Sequence, residues 1–381
     1  MNDNKRVLIC GVGRMGEAIS WCMDTFGYHV IGIDNNMEAS RRLGLEFTSN
    51  FGKKPTDFLL VENESDIKKA IELTKPSIAI SSLPYHQTMQ VAFTCIDLGI
   101  PYCDLGGRVD VSHRINTYAN DHAKKPVITD LGLAPGWVNI LAEEACSALE
   151  EEVVDVKTMV GGLPVQMHNP PFNYTVTWSV DGLINEYKDK CEIVCCGRRD
   201  IVRGMDGLEN VYCRSIDKEL EAFYTSGGAS HSINSMLERG VENFSYRTLR
   251  YKGHNQLIKT LLNSNTKVDE ECLKEVFSKV CSPKGTLGIE DQVIIKCIAT
   301  GKSGKTWDKE FLVPSTEGRL TAMQKATSFG ISCVAKQILE EDIKGGKLGY
   351  RDVNYKKFNE NLEILRKELV DPAYEIQNKQ I

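Results

Sequence analysis

The 381-residue chain contains no run of eighteen or more apolar residues, so no segment has the length and polarity of a membrane-spanning helix. It also lacks the pattern of a secretory leader. Lys5-Arg6 precedes only the short apolar run Val7–Cys10, with no small-residue cleavage site behind it. A first β-strand beginning near Arg6 is expected instead. The thirteen cysteines include no C-x-x-C pair and no His/Cys cluster at zinc spacing. Most stand in apolar patterns, as at Cys10, Cys22, Cys95, Cys297 and Cys333, where the thiol behaves as a small core group. Reduced thiols and a cytoplasmic location are therefore expected. Cys191, Cys195 and Cys196 lie close together, but no His accompanies them, so no metal is expected. No basic stripe interleaved with aromatics occurs, and the formal net charge is −6; neither points to nucleic acid. Internal repeats and low-complexity tracts are missing as well.

What is present is a two-domain quantity of ordinary globular sequence, 41% hydrophobic and 26% charged. The first 135 residues alternate β-rich runs with helical patterns. Strands are expected at 6–10, 28–33, 57–61, 77–82, 101–104 and 126–129, and helices at 14–26, 64–74, 86–98 and 110–124. The runs "VLIC", "VIGI", "FLLV" and "IAIS" are almost wholly apolar, as parallel strands covered on both faces must be. Six such strands with helical crossovers predict a doubly wound parallel α/β sheet. Near Glu150 the rhythm changes to longer, alternating strands: "VVDVKTMV", "NYTVTWS", "CEIVCC", "LEAFYT", "FSYRTLRY", "DQVIIKCIATG" and "KTWDKEFLV". Helical patterns at about 230–239, 254–263 and 269–280 interrupt them. An α+β domain on a mostly antiparallel sheet is expected there. "TGKSGKTW" (300–307) reads as a hairpin turn; it lacks the spacing and following helix of a phosphate-binding P-loop. A long helix from about Arg319 to Glu341 and a charged helix at about 355–369 complete the chain.

Gly11-Val12-Gly13-Arg14-Met15-Gly16 lies between the first strand and the first helix. In that place the three glycines have separate tasks. Gly11 permits a tight turn, Gly13 lets a pyrophosphate approach the backbone, and Gly16 lets helix and strand pack closely. The helix opening at Arg14 and Met15 presents free N–H groups to the anion. Asp34, at the end of the second strand, suits the hydroxyls of an adenosine ribose and repels a 2′-phosphate. NAD is therefore the expected cofactor ahead of NADP, although Arg41 and Arg42 follow. "SSLPYH" (81–86) follows the fourth strand, at the switch point of the sheet. It places Ser82, Leu83 and Pro84 beside the cofactor, and Tyr85 and His86 toward the cleft. A surface position at the start of a helix is the other reading of His86.

Several further stretches resemble the saccharopine dehydrogenase-like family, in its order and spacing. They are "SSLPYH", "YCDLGGRVD" (102–110), "DLGLAPGWVNILA" (130–142), "MVGGLP" (159–164), "NPPFNYTVTWSVDGLINEY" (169–187), "LEAFYTSGG" (220–228), "TLRYKGH" (248–254) and "LTAMQKATSFG" (320–330). The resemblance runs from the first strand to about residue 345. It implies a Rossmann domain, 1–135 with 319–345, interrupted by a substrate and dimerisation domain at 136–318. Residues 346–381 remain as a helical tail. It also implies NAD(P)-linked oxidation of a carbon bearing an amine, with an amino acid as the small-molecule substrate. Two departures, His86 and Trp137, stand where the family pattern has other residue types.

Such a reaction needs the amine neutral, so that its lone pair assists departure of the hydride. For a lysine ε-ammonium this costs about 4–5 kcal/mol at neutral pH, which the site can lower by desolvation. Asp104, at the end of the fifth strand, is the candidate carboxylate for orienting the amine; capping of the "LGG" turn is its alternative, and Gly106 of that turn is a candidate cofactor contact. Asp130 reads as a cap of the "GLAPG" turn, where Leu133, Ala134 and Pro135 pass close to the cofactor. Tyr85 or His86 are candidate bases for hydration of the product imine. An α-carboxylate calls for an Arg fork. Arg250, Arg247 and Arg319 are the candidates, and Arg247 and Arg250 fall on opposite faces of one strand. Trp178 and Tyr174 share a parity on the expected strand "NYTVTWS" and are candidates to wall the pocket, with core packing as the alternative.

The expected reaction is NAD-dependent oxidative deamination of the terminal amine of L-lysine to the semialdehyde with release of ammonia. A secondary-amine substrate such as saccharopine is the alternative, needing two or more cations in one pocket, and a non-catalytic NAD-binding regulator is another. A homodimer is the expected assembly.

Overall fold

A computed structural model describes residues 5–39, 57–167, 170–262, 269–281, 290–316, 320–343, 345–369 and 375–377. The chain divides into two compact units. The first comprises 1–140, 318–320 and 324–372; the second comprises 141–317, 321–323 and 373–381.

In the first unit the apolar runs are the strands β1 (Arg6–Cys10), β2 (His29–Asp34), β3 (Asp57–Leu60), β4 (Ile78–Ser81), β5 (Tyr102–Asp104) and β6 (Pro126–Ile128). They pair in the order β6-β5-β4-β1-β2-β3, all parallel. The crossovers are α1 (Arg14–Thr25), α2 (Glu64–Thr74), α3 (Tyr85–Asp97) and α4 (Val109–His122), and α5 (Trp137–Ala148) follows β6. Every residue of β1 after Arg6 is buried, because helices cover both faces of the sheet and leave no place for alternation. The order reverses between β1 and β4. Their loops, the glycine loop and "SSLPYH", therefore open side by side at the carboxyl ends of the strands, where open α/β sheets bind ligands.

Residues 346–372, set apart above as a tail, fall within the first unit. A two-residue strand, Gly346–Lys347, extends the sheet beside β6. Tyr350 Oη then donates to the carbonyl of Asp130 (2.9 Å), and the ring of Phe358 in the helix Tyr355–Glu368 lies edge-on to Trp137 (5.8 Å). The helix Ala322–Leu339 belongs to the first unit from Gln324 onward.

The second unit is built on one large mixed sheet. Its strands are β7 (Val153–Pro164), β8 (Lys190–Cys195), β9 (Arg198–Arg203), β10 (Glu209–Cys213), β11 (Lys218–Tyr224), β12 (Asn243–Arg250), β13 (Asp291–Gly301) and β14 (Thr306–Pro314). The path β10-β11-β12-β7-β13-β14 continues into Glu375–Gln377, and β8 joins β9 to β12. Among the described strand pairs of this sheet, only β7 and β12 run parallel. Helices α6 (Val180–Lys188), α7 (Ser232–Glu238), α8 (His254–Leu262) and α9 (Glu270–Val280) accompany the sheet. α6 and α9 carry their own caps: Ser179 Oγ accepts from Gly182 N (3.2 Å) and Asp269 Oδ1 from Cys272 N (2.8 Å).

One expectation needs correction here. "NYTVTWS" is not a strand. Phe172, Tyr174 and Val176 turn into an apolar cluster with Leu183, Phe223 and Phe277, and the alternation records that burial without a hydrogen-bonded ladder. The thiols of Cys191, Cys195 and Cys196 do not converge, since Cys191 is buried while the other two are exposed. All thirteen cysteines are free thiols, and among the described residues no His, Cys, Asp and Glu cluster could hold a metal. "TGKSGKTW" closes the β13–β14 hairpin, with Gly301 N donating to Lys305 O (2.8 Å). No helix among the described residues is long and apolar enough to cross a membrane.

Candidate functional site

The glycine loop of the first unit has three distinct environments. Gly11 takes a left-handed conformation (φ +87°), and an added Cβ there would lie 2.9 Å from Leu83 Cδ2. At Gly16 an added Cβ would come within 2.0 Å of the Gly11 carbonyl oxygen. Only glycine lets α1 start this close to the loop. Around Gly13, by contrast, nothing lies within 4 Å of where a Cβ would stand. The residue is exposed and caps α1 without a side-chain hydrogen bond. The amides of Arg14, Met15 and Gly16 precede the first i→i−4 bond of the helix, Glu17 N to Gly13 O, and lie at the positive end of the helix dipole. Arg14 is exposed there and Met15 half-buried. Gln324 Nε2, missed in the sequence, donates to the Arg14 carbonyl (3.0 Å).

Asp34 stands beside this opening. Its Oδ2 accepts from Val12 N (2.7 Å) and its Oδ1 from Asn36 N (2.9 Å). Both oxygens are thereby aimed, and each keeps a lone pair for a hydroxyl donor. Ser82 ties the two switch-point loops together, with its amide on Cys10 O (2.8 Å) and its Oγ on Gly11 O (2.5 Å). Pro84 caps α3, and Tyr85 and His86 are exposed on the first turn. The Arg108 guanidinium lies 5.6 Å from the centre of the Tyr85 ring. This set of an open glycine, uncapped helix amides and an aimed carboxylate fits a dinucleotide.

Asp104 ends β5, as expected from the sequence. It is 1% exposed. Its Oδ1 accepts from Gly106 N and Asp130 N, both at 2.9 Å, which is the capping alternative. Its Oδ2 is buried without a hydrogen-bond partner, since the nearby Tyr102 hydroxyl donates to Thr88 O (3.4 Å). Burial, and then the neighbouring Asp130 carboxylate, push Asp104 from 3.8 up to about 7, against the pull of the Asp130 amide, the nearby Tyr102 hydroxyl and the Gly106 amide. A carboxyl so placed holds the turn; it does not reach open space. Gly106 is fixed there by a left-handed φ of +78° and by the 2.2 Å that would separate a Cβ from Asp130 Oδ1.

Asp130 itself adopts φ +62° and accepts from Ser112 Oγ (2.6 Å). The turn it opens carries Leu133, which is buried, and Ala134 and Pro135, which are half-buried. Asn139, also missed, closes the turn by accepting from Gly136 N (2.8 Å). An Asn three residues into a helix that opens at a glycine is half of a capping box, and that signal was available in "GWVN".

The substrate-side candidates lie in the second unit. Arg247 and Arg250 do take opposite faces of β12, and their surroundings differ. Arg247 is committed: Nη1 donates to Gly207 O (2.6 Å) and sits 3.3 Å from Glu209, while Nη2 donates to Tyr224 Oη (3.1 Å). Arg250 is 4% exposed. Its Nε donates to Tyr187 Oη (3.1 Å), its Nη1 to Leu249 O (3.0 Å), and its guanidinium lies 4.7 Å from the centre of the Tyr174 ring. Trp178 packs its ring against Gly182. Arg319 lies outside the described residues. Tyr187, His254 and Glu186 join Arg250, and none was visible as a site residue in the sequence. Burial raises Glu186 to about 7, against the attraction of Arg250.

The saccharopine dehydrogenase C-terminal domain model matches residues 132–370. Among solved structures the chain is similar to the apo histidine-tagged saccharopine dehydrogenase (L-Glu forming) from Saccharomyces cerevisiae. The TM-score is 0.70 at 15% identity, over 98% of this chain and 99% of that one. It is also similar to the myo-inositol dehydrogenase from Lactobacillus casei in complex with NAD(H) and myo-inositol, with TM-score 0.45 at 11% identity over 99% and 98% of the two chains. At such identities the yeast likeness speaks for the fold, and the weaker one carries no argument.

Proposed function

This chain belongs to the saccharopine dehydrogenase-like family, and we propose that it is an NAD-dependent dehydrogenase of the terminal amine of L-lysine, yielding the semialdehyde and ammonia. The observation that carries the cofactor half is the pairing of an open Gly13 with Asp34, whose two oxygens are already aimed by Val12 N and Asn36 N. Arg14, Met15 and Gly16 offer their amides to the pyrophosphate, and Asp34 accepts from the ribose and disfavours a 2′-phosphate. Ser82, Leu83, Pro84, Leu133, Ala134 and Pro135 are assigned to the remaining walls. A bound nicotinamide supplies the acceptor for the hydride.

The chain's own groups then have these proposed tasks. Asp104 holds Gly106 and Asp130 in place and acts as a positioning residue. Tyr85 and His86, exposed at the start of α3, are the candidate bases for hydration of the imine. Arg250 takes the substrate carboxylate.

A second reading, saccharopine or another secondary amine with several carboxylates, draws on the name of the yeast protein. It needs two or more cations free to bind carboxylates. Arg247 is spent on Glu209, Gly207 and Tyr224, which favours the substrate with one carboxylate.

The test is NADH formation with L-lysine, saccharopine, L-ornithine and diamines across pH 7–10. L-Lysine is expected to be the best substrate, with a rate that rises toward alkaline pH as its ammonium deprotonates. Faster turnover of saccharopine replaces the first reading with the second, and no turnover of any amine removes both.

A further inference from the structure

Cys191 stands apart, but Cys195 and Cys196 meet. In an extended strand neighbouring side chains leave opposite faces, so two adjacent cysteines would point away from each other. Here β8 ends at Cys195, and the chain turns at Cys196 (φ +50°) and Gly197 (φ +72°) before β9 begins at Arg198. Cys195 pairs with Arg198 across the turn. This is a two-residue hairpin loop with both central residues left-handed, a turn that favours Asn, Asp or Gly at the place Cys196 occupies. The left-handed step leaves the two sulfur atoms 3.9 Å apart, with the Cys195 thiol donating to Cys196 Sγ. Both residues are exposed. The turn is also held from outside: Gly197 N donates to Glu242 O (2.8 Å) and Cys196 N to Asn243 Oδ1 (3.3 Å).

The spacing decides what such a pair holds. A disulfide brings its sulfurs to about 2.0 Å and keeps its Cα atoms about 4.4–6.8 Å apart, whereas a trans peptide fixes neighbouring Cα atoms about 3.8 Å apart. Closing Cys195 directly on Cys196 therefore strains both the bond and the peptide. One atom bonded to both sulfurs at about 2.3 Å spans about 3.5–3.8 Å when bent and about 4.6 Å when linear. The observed 3.9 Å matches a bent bridging atom. A zinc ion needs further protein ligands, and among the described residues no group of three His, Cys, Asp or Glu side chains could hold a metal. The centre that fits two thiols alone is thiophilic and brings its own remaining bond. Trivalent arsenic with one organic substituent does so, since two of its bonds go to sulfur and the third stays on carbon.

We propose that Cys195 and Cys196 form a chelating site for trivalent arsenicals that carry one organic group and two hydroxyls on arsenic. Each thiol gives up its proton and replaces one hydroxyl. Two S–H and two As–O bonds break, two As–S bonds form, and two waters leave. Arsenic stays trivalent and neither sulfur is oxidised, so no oxidant takes part. The turn already holds both sulfurs together, so the second As–S bond closes within the chain at a high effective concentration. Cys272 is the other exposed cysteine of the thirteen; it lies on α9 with its thiol turned to Asp269. It serves as the internal control for a single thiol, and the remaining ten cysteines are buried.

The experiment treats the reduced full chain with phenylarsine oxide. Native mass spectrometry counts the groups bound, and titration with an aromatic disulfide reagent counts the thiols still reactive. The wild type is expected to take up one phenylarsenic group per chain and to lose two reactive thiols in doing so. Cys195→Ser and Cys196→Gly should each weaken binding about a hundredfold or more, the worth of the second, intramolecular bond. Cys272→Ser should bind as wild type does. Dimercaptopropanol, a dithiol, should strip the group from the wild type, whereas a monothiol at the same thiol concentration should leave it in place. Thermal melts check that the variants fold, and Cys196→Gly, which relieves the left-handed position, should melt no lower than wild type. Wild-type affinity in Cys195→Ser or Cys196→Gly, loss of binding in Cys272→Ser, equal stripping by monothiol and dithiol, or no uptake by the wild type overturns the site.

Discussion

Asp104 in the first unit and Arg250 in the second are both buried without an ion pair among the described residues, and the two groups meet that cost in opposite ways. Asp104, in the first unit, is a carboxyl with one oxygen on two amides and the other on nothing. Burial and Asp130 raise it to about 7, so at neutral pH and below it sheds much of its charge by holding a proton. Arg250, in the second unit, is as deeply buried, but a guanidinium has no such escape. A buried acid can become part of the frame. A buried arginine stays charged, and only a neighbouring anion can offset that charge. The comparison separates a residue that holds a turn from one that keeps its charge.

Replacing Asp104 by Asn should sharpen that contrast most. Between pH 3.8 and about 7 the folded wild-type chain keeps a proton that the unfolded chain has released. Wild-type stability therefore falls as pH rises through this window. The variant cannot ionise. Its stability relative to wild type should improve by about 1.4 kcal/mol per pH unit, reaching about 4 kcal/mol above pH 7. Chemical denaturation at several pH values measures this, and parallel curves for the two proteins would show Asp104 ionised at ordinary pH. No such titration is open to Arg250, so Arg250→Lys should shift stability by the same amount at every pH from 5 to 8.

The next effect separates frame from opening inside the first unit. Gly16→Ala pushes a methyl group into the Gly11 carbonyl and should cost about 1–3 kcal/mol of stability, as overpacking does. A thermal melt unchanged from wild type would mean that α1 does not sit this close to the loop. Smaller still is the effect of Asp34→Asn. The amide keeps one oxygen for Val12 N or Asn36 N and loses the charge, so the preference for NADH over NADPH should fall about tenfold. An unchanged ratio of dissociation constants would move the ribose contact elsewhere.

The two regions were also unequally legible in the sequence. The first could be read because its parts are local: β1, the three glycines and α1 fall within twenty residues, and Asp34 ends the next strand. Continuous apolar runs placed all six strands to within a residue or two. Asp104 was placed on the right strand end, yet its depth depends on Asp130 and Gly106 folding over it, which no pattern in "YCDLGG" records. The second region gathers Phe172, Tyr187, Arg250 and His254 from separate segments, and Glu186 looks like any acidic residue on an amphipathic helix. "NYTVTWS" misled because inward aromatics at alternate positions imitate a strand. The strand Gly346–Lys347 was too short to register against its charged surroundings, though it brings the terminal segment onto the first sheet.

The central claim is that the opening at Gly13 holds a nicotinamide dinucleotide. It is tested most directly by titrating NADH against the wild-type chain and Gly13→Ala, with a thermal melt of each. An added Cβ at Gly13 meets nothing in the protein, so the melts should coincide while NADH affinity falls about tenfold or more, because the methyl group occupies the approach of the pyrophosphate. Equal affinity in the two proteins, or no affinity for NADH in the wild type, would contradict the account.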